Sequence, residues 1–347
     1  MNPGIAFALL GAALFGASTP LAKILVGEVG PLTLAGLLYA GSGLGLGAWL
    51  ALRGWIRPAV TRSRLVPADR KWLAGAVVSG GVMGPVLLML ALSAAPASTV
   101  SLLLNLEGVF TALLAWFVFH ENFDRRVVIG MLLIVSGGVL LSLPSGGIST
   151  SLPALAVAGA CLCWAVDNNL TRKISAADPV QIAAIKGLAA GAVNLCASAV
   201  FGAVLPAPGP ALAAAAVGLL GYGVSLALFV VALRLLGTAR TGAYFATAPF
   251  IGAAASFALL GEAPDTAFWI AAALIAGGVA LHLAERHRHA HRHEAMEHAH
   301  SHTHDEHHHH EHDFAWDGTE PHSHPHDHVP MTHSHEHYPD IHHRHGH

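Results

Sequence analysis

The residues that could do chemistry in this chain fall into two groups, and the larger group is a histidine-rich stretch at the C-terminal end. Of the 26 His, all but His120 and His282 lie between His287 and His347, mostly in a His-X-His pattern. Neutral imidazole is a ligand for zinc, nickel, cobalt and copper, and closely spaced His residues let several ring nitrogens reach one ion. The pattern therefore predicts a segment that binds Zn, Ni or Co.

The expected metal ligands are spread along most of this stretch. They are His287, His289, His291, His293, His298, His300, His302, His304, His307, His308, His309, His310, His312, His322, His324, His326 and His328. Few apolar residues accompany them, so residues 286–347 are predicted to form a disordered tail. Two other interpretations stay open, since imidazole titrates close to neutral pH. The tail could be a pH sensor that moves onto the anionic membrane surface, or a solvated segment without a role.

The second group consists of polar and ionisable residues inside apolar stretches, where charge is costly and therefore points to function. The candidates for a transport pathway are Glu107, Asn105, Asp167, Asn168, Lys186, Lys23 and Pro249. Asp167 and Lys186 are expected at similar depth, as a structural ion pair or as substrate and proton-coupling groups. Glu107 has no evident partner, so it is either a proton-coupling group or a carboxyl bonded to backbone. Lys23 is either a pathway residue or a side chain that extends to the membrane interface.

Some other residues in the apolar stretches have a simpler interpretation. Cys161 and Cys163 are expected to be packing residues, although with Asp167 they could form a site for a soft metal. Glu121 and Glu262 fall at predicted helix ends, where helix capping or an interfacial role is the expected function. The Gly41, Gly43, Gly45 and Gly47 ladder is typical of close helix packing. No further cofactor is required by these patterns.

The composition shows which elements must position these residues. Only 11% of the residues are charged and 54% are hydrophobic, whereas a soluble protein has about 25% charged residues. A transmembrane helix needs about 20 apolar residues. Ten segments qualify: 4–26, 32–52, 72–93, 98–119, 127–144, 153–171, 180–204, 212–234, 241–260 and 267–284. The chain is therefore predicted to be an all-α membrane protein embedded in a lipid bilayer.

The basic residues predict the orientation of these spans. Lys and Arg follow the even-numbered spans, whereas the connectors 27–31, 94–97, 145–152, 205–211 and 261–266 contain neither. Because cytoplasmic loops carry the excess of Lys and Arg, both termini are expected in the cytoplasm, and the protein in the cell (inner) membrane. The basic residues form short clusters beside the spans, so no nucleic-acid partner is expected.

An internal repeat relates the two halves of the membrane region. The segment Asn105-Leu-Glu-Gly-Val-Phe110 corresponds to Ala246-Thr-Ala-Pro-Phe-Ile251, and Glu121 corresponds to Glu262. Five spans in each half is an odd number, so the halves must be inverted relative to each other. Inverted repeats are typical of secondary transporters that bind their substrate between the halves and work by alternating access.

The duplicated five-helix pattern, the run from Leu106 that ends in Glu121 and its partner that ends in Gly261-Glu262 resemble the EamA-like branch of the drug/metabolite transporter superfamily. The resemblance implies ten transmembrane helices as two inverted five-helix repeats, with residues 1–144 and 145–285 as the repeats and 286–347 as an added cytoplasmic tail. This chain has Gly108 where that family often has Pro, so a backbone break is expected less at Gly108 than at Pro249.

The function expected on these grounds is export of a small solute or metabolite by a secondary transporter with a metal-binding tail. Transport of a transition-metal ion or complex is the alternative, and a membrane-anchored metal sensor or store is a further one. An enzyme is not expected, since no nucleophile elbow, phosphate loop or zinc-hydrolase pattern occurs. A homodimer is compatible with the sequence.

Overall fold

The structure of the chain, a computed structural model, divides into two compact units, Met1–Glu285 and Arg286–His347. The described residues of the first, here called the membrane unit, are 3–56, 67–119, 125–143, 152–174, 177–204, 206–236 and 238–283. Those of the second, the tail unit, are 287–292, 296–302, 322–328 and 332–337, and they are described by their backbone pairing.

The described part of the membrane unit is helical. Its helices are α1 (Pro3–Val26), α2 (Pro31–Ile56), α3 (Arg70–Ala76), α4 (Gly84–Ala94), α5 (Ala97–Leu103), α6 (Leu106–Phe119), α7 (Arg125–Ser142), α8 (Leu152–Arg172), α9 (Pro179–Val200), α10 (Pro208–Gly218), α11 (Ser225–Leu236), α12 (Thr238–Phe245), α13 (Ala248–Leu260) and α14 (Thr266–Leu283). The short 3₁₀ helix Pro67–Asp69 precedes α3, and the π-helical segments Val77–Met83 and Leu219–Val224 join α3 to α4 and α10 to α11.

These helices form the ten predicted spans, because α3–α4, α5–α6, α10–α11 and α12–α13 each make one span. Eight of the ten are long and apolar enough to cross a membrane by length and composition alone. Of the other two, α8 is less apolar because it carries Asp167, Asn168 and Asn169. The apolar stretch of α14, Thr266–Leu281, is shorter than the others. The predicted fold, ten transmembrane helices in two inverted halves, is confirmed.

The interruptions of the helices follow the internal repeat. The third span of each half contains a π-helical segment, and the fourth span of each half is broken, at Leu104-Asn105 and at Ala246-Thr247. At both breaks a side chain bonds to the carbonyl three residues earlier: Asn105 Nδ2 donates to Leu102 O at 2.9 Å, and Thr247 Oγ1 donates to Tyr244 O at 2.6 Å. A backbone break is expected less near Gly108 than near Pro249. The fourth span is nevertheless broken three residues before Gly108, without a proline.

The packing of the helices has the same two-fold pattern. The α1 helix packs on α11 and α13, and α8, its counterpart in the second half, packs on α4 and α6. The pairs α2–α9 and α7–α14 join equivalent helices of the two halves, and the α5–α13 pair joins the equivalent fourth and ninth spans. The inverted relation of the halves thus brings the ends of the broken spans together around α1 and α8.

The contact between α2 and α9 depends on glycine. A Cβ atom on Gly43 would lie 2.3 Å from Leu188 N, and one on Gly187 would lie 2.7 Å from Gly43 Cα, so α2 and α9 touch backbone to backbone. A Cβ atom on Gly41 would lie 2.1 Å from Ala215 O, whereas one on Gly47 would meet nothing within 4 Å. The glycine ladder is therefore a packing surface, but not over its full length.

The tail unit contains four short strands: β1 (His287–Arg292), β2 (Met296–His302), β3 (His322–His328) and β4 (Thr332–His337). The β1 strand pairs with β4 and β2 pairs with β3, both antiparallel. Alternation of His with another residue has the period of a β-strand, in which successive side chains point to opposite faces.

Candidate functional site

Asp167 on α8 and Lys186 on α9 form an ion pair in the interior of the membrane unit. The Lys186 ammonium donates to both carboxylate oxygens, at 2.6 Å to Oδ1 and 2.5 Å to Oδ2. Thr171, one turn along α8, donates to Oδ1 at 2.9 Å. The Asp167 side chain is 8% exposed and the Lys186 side chain is 18% exposed. The expectation that Asp167 and Lys186 lie at similar depth agrees with this contact.

The π-helical segment between α3 and α4 holds this carboxylate in place. A Cβ atom on Gly80 would lie 2.0 Å from Asp167 Oδ2, so only glycine leaves room for the carboxylate. The Gly80 carbonyl has no helical donor five residues on, because that residue is Pro85, which lacks an N–H. Tyr39 Oη and Trp164 Nε1 donate to this carbonyl instead, at 2.8 and 2.9 Å. The segment thus links α2, α4 and α8 around the ion pair.

Glu107, in the first turn of α6, has a partner that the sequence did not reveal. Asn168 Nδ2 on α8 donates to Glu107 Oε1 at 2.8 Å, so the expectation that Glu107 has no partner at its level is wrong. The Glu107 carboxylate also interacts electrostatically with Asp167 and Lys186. We call Glu107, Asp167, Asn168, Thr171 and Lys186 the central polar cluster.

Aromatic side chains from both halves lie beside this cluster. The Tyr39 and Tyr222 rings are 5.7 Å apart between centroids, and Phe15 lies 5.9 Å from Tyr222. Phe245, at the end of α12, lies 5.6 Å from Phe15. Tyr39 belongs to the first half and also bonds to the Gly80 carbonyl, so this aromatic row continues from the polar cluster toward the break in the ninth span.

The other predicted pathway residues have local contacts. The Lys23 ammonium donates to Leu92 O at 2.6 Å and Ala95 O at 3.0 Å, so it caps the C-terminal end of α4. Asn105 bonds to the backbone at the α5–α6 break, as described above. Pro249 lies half-buried in the first turn of α13, just after the break in the ninth span. Among the described residues, these backbone contacts give Lys23 and Asn105 a structural role.

Glu262 joins the two halves. Its carboxylate accepts from the backbone N–H groups of Ala97 at 2.7 Å and Ser98 at 2.9 Å, and from the Ser98 hydroxyl. It thus caps the N-terminus of α5 from the connector between α13 and α14, which agrees with the predicted capping role. Glu121, its counterpart in the repeat, lies outside the described residues.

The residues that are expected to bind metal lie in different parts of the structure. Cys161 is buried and lies 3.7 Å from Leu103 O, as a packing residue would. Among residues with described side chains, no group of three or more His, Cys, Asp or Glu could hold a metal ion. Ten of the predicted tail ligands lie in the four strands, whereas the rest lie outside the described residues: His293, His304, His307, His308, His309, His310 and His312.

Four residues of the site are not among the candidates expected from the sequence: Tyr39, Gly80, Trp164 and Thr171. A signal was available for Gly80, since Gly80-Gly81 precedes Pro85 in an apolar span and a proline leaves a helical carbonyl without its donor. For Thr171, the spacing of four residues from Asp167 on one helix was the available signal. Tyr39 and Trp164 reach the site only through packing between spans that are distant in sequence.

The fold and this site define a multi-pass helical membrane protein with two inverted halves and charged side chains between its helices. The model of the EamA-like transporter family matches residues 2–143 and again residues 151–284. The chain therefore belongs to the EamA-like transporter family and is a membrane transporter of a small solute.

Two known proteins are similar to this chain. A protein of Methanothermobacter thermautotrophicus described as an uncharacterized transporter is 28% identical over 263 residues, which are 72% of this chain and 76% of that protein. A protein of known crystal structure has a TM-score of 0.58 and 24% identity, covering 80% of this chain and 95% of the other. The second likeness concerns the fold alone.

Proposed function

We propose that the protein is a secondary transporter that exports a small organic solute by alternating access, with the central polar cluster as the solute and coupling site. The observation that carries the proposal is the different pairing of its two carboxylates. Lys186 forms an ion pair with Asp167, whereas the partner of Glu107 is the neutral amide of Asn168, which brings no opposite charge. Glu107 is thus the group in the cluster that can bind a cationic or hydrogen-bond-donating part of a solute, or a proton.

The surroundings of the cluster support an organic solute. Rings of Tyr39, Tyr222 and Phe15 follow one another at centroid distances below 6 Å. Aromatic faces bind apolar groups and attract cations, so they fit a solute that combines an apolar body with a positive group. Protonation of Glu107 would remove its attraction for such a solute, which gives a simple basis for exchange of solute against protons.

The position of the protein in the cell is part of the proposal. We place it in the cell (inner) membrane with both termini in the cytoplasm, since Lys and Arg are concentrated in the connectors on one side. The tail then lies in the cytoplasm, where it binds Zn, Ni or Co and adjusts transport to metal supply.

Transport of a metal ion or metal complex is the second candidate, and the His-rich tail is the observation that favours it. The membrane unit supports it less. Its described residues hold no group of three metal ligands, and Lys186 places a positive charge beside Asp167.

The experiment that tests the proposal is an untargeted comparison of solutes exported by cells that express the chain. We expect at least one solute to accumulate in the medium with the wild type but not with Glu107→Gln. Glu28→Gln is the matched control, since Glu28 is an exposed carboxyl in the α1–α2 connector, and it should export like the wild type. Equal export by wild type and Glu107→Gln would overturn the assigned site.

The metal alternative is tested in parallel with the full chain and a chain that ends at Glu285. Cell content of zinc, nickel and cobalt is measured at raised external metal. If the wild type lowers a metal while Glu107→Gln does not, and no organic solute is exported, the cargo is the metal. A pure sensor or store would show no flux that depends on Glu107.

A further inference from the structure

The α5 helix of the first half packs against α13 of the second half, whereas their equivalents in the repeat do not meet in the same way. In the register that pairs Asn105 with Ala246, α5 corresponds to α12 and α13 corresponds to α6. Among the described residues, α6 packs on α7 and α8, α12 packs on α1 and α11, and no comparable contact joins α6 to α12. The two halves are therefore in contact where α5 meets α13 and apart at the equivalent place.

Single residues show the same difference. A Cβ atom on Gly252 of α13 would lie 2.8 Å from Ser101 Oγ on α5 and 2.8 Å from Gly16 O on α1, so three helices meet closely there. In the repeat, Ser101 corresponds to Gly242 and Gly252 corresponds to Thr111. A Cβ atom on Gly242 would meet nothing within 4 Å, and Thr111 Oγ1 has no hydrogen-bond partner among the described residues. The contact made at one place of the repeat is thus not made at the other.

Glu262 lies at the edge of the α5–α13 contact, in a connector that is fixed at both ends. Gly261 ends α13 in the left-handed conformation, with φ 65°, which glycine adopts without strain. Asp265 caps α14 by accepting from a backbone N–H at 2.8 Å. Between them, the half-buried Glu262 carboxylate accepts three hydrogen bonds from Ala97 and Ser98, the first two residues of α5. We call this contact the Glu262 latch.

We infer that the Glu262 latch keeps the α5–α13 contact closed and has to release before solute can pass on this side of the protein. The inference rests on the alternating access of the proposed function, and it names the residue that governs one of the two access routes. In the predicted orientation the connector 261–266 lies outside the cell, so the latch closes the exit side of an exporter. The separated helices α6 and α12 then face the cytoplasm, from which an exporter takes its solute.

A purely structural cap would behave differently from a latch. Loss of a structural cap lowers the stability of the protein but does not expose one particular contact between the halves. Asp265 is the matched control, because its carboxylate lies in the same connector and caps a helix of its own half. Ser98 provides the same test from the other partner, since its hydroxyl donates one of the three hydrogen bonds.

The test measures how fast a water-soluble maleimide labels Ser101→Cys in the full chain. The protein is reconstituted in lipid nanodiscs, so that both faces are reachable, after its three native cysteines are replaced by alanine. Ser101 is fully buried, so labelling requires the α5–α13 contact to open. We expect Glu262→Gln to raise the labelling rate roughly tenfold or more, because it removes the charge that strengthens three hydrogen bonds. Asp265→Asn should leave the rate unchanged.

Ser98→Ala should raise the labelling rate less than Glu262→Gln does, since two of the three hydrogen bonds remain. It also gives the same comparison with Asp265→Asn if Glu262→Gln does not fold. Equal labelling with and without the latch substitutions would overturn the inference. An equal rise in Asp265→Asn would overturn it too, because the connector as a whole would then be loosened.

The outcomes separate this inference from the proposed function. Solute export is measured independently, with Glu107→Gln as before. Export that depends on Glu107, together with unchanged labelling in Glu262→Gln, would remove the latch and leave the proposed function standing. Faster labelling without any export by the wild type would keep Glu262 as the closing contact but overturn its role in transport, together with the proposed function.

Discussion

At the scale of single residues, the ion pair of Asp167 and Lys186 is the contact whose role is most open to experiment. It is buried and bidentate, and Gly80 packs against its carboxylate. An ion pair of this kind fits a structural lock between α8 and α9 as well as a site for solute or protons. The two roles differ in what happens when both charges are removed together.

We expect Asp167→Asn to destabilise the protein by about 3–5 kcal/mol, because it leaves the Lys186 ammonium buried without its counter-charge. The double variant Asp167→Asn/Lys186→Met should recover most of that stability, since no unpaired charge remains. Thermal unfolding in detergent measures both effects. Export should stay lost in the double variant if the pair takes part in transport, and its full recovery would show a purely structural lock.

Lys23, unlike Asp167 and Lys186, has a position that its hydrogen bonds to backbone carbonyl groups explain. In Lys23→Met, α4 loses the cation at its C-terminal carbonyls, which should lower the stability by about 1–2 kcal/mol. Export per folded molecule should stay at the wild-type level. A normal unfolding temperature with lost export would instead place Lys23 in the transport pathway.

Some of these contacts could be predicted from the sequence, and others could not. Asp167 and Lys186 lie in consecutive antiparallel spans, so their depth follows from counting residues. Glu107 and Asn168 lie on α6 and α8, which are not consecutive spans, and their contact depends on how each helix is rotated about its axis. Apolar periodicity does not fix that rotation in a helix that is hydrophobic on all sides, so the contact was not predictable.

At the scale of elements, the glycine ladder allows a backbone-to-backbone contact between α2 and α9. Gly43 and Gly187 meet at backbone distance, and Gly47, one turn further along α2, has open space around it. This difference provides a test in which one substitution is made at two positions of one helix.

We expect Gly43→Ala to destabilise the protein by about 1–3 kcal/mol, because its methyl group would force α2 and α9 apart. The same change at Gly47 should be neutral or stabilise the protein by up to about 1 kcal/mol, since alanine is the better helix former. Unfolding temperatures of the two variants test this. A similar loss at both positions would mean that helix propensity, not packing, governs the ladder.

The spans themselves were predicted closely, because length and hydropathy determine them. The π-helical segments at Val77–Met83 and Leu219–Val224 were not, since one extra residue in a helical turn leaves the apolar character unchanged. The repeat offers the missing information: a change of helix type in the third span of one half recurs in the other. Similarly, the break at Leu104-Asn105 could have been inferred from its counterpart near Pro249.

At the scale of the whole molecule, the orientation in the membrane decides which side the tail faces. A phosphatase reporter, active only outside the cytoplasm, should be inactive when it follows Glu285 and active when it is inserted at Ala207-Pro208. Glu285 follows the tenth span, whereas Ala207-Pro208 lies between the seventh and eighth spans, on the opposite predicted side. The reverse pattern of activity would contradict a cytoplasmic tail and its capture of metal inside the cell.

The strand pairs of the tail unit are nested: β2 and β3 lie, in sequence, between β1 and β4. Pairing of β2 with β3 therefore shortens the free chain that β1 and β4 must close, from about 40 residues to about six, which lowers the closure cost by about 1.7 kcal/mol. Formation of the β2–β3 pair should then favour formation of the β1–β4 pair roughly tenfold or more. The two strand pairs are therefore expected to form together and to be lost together.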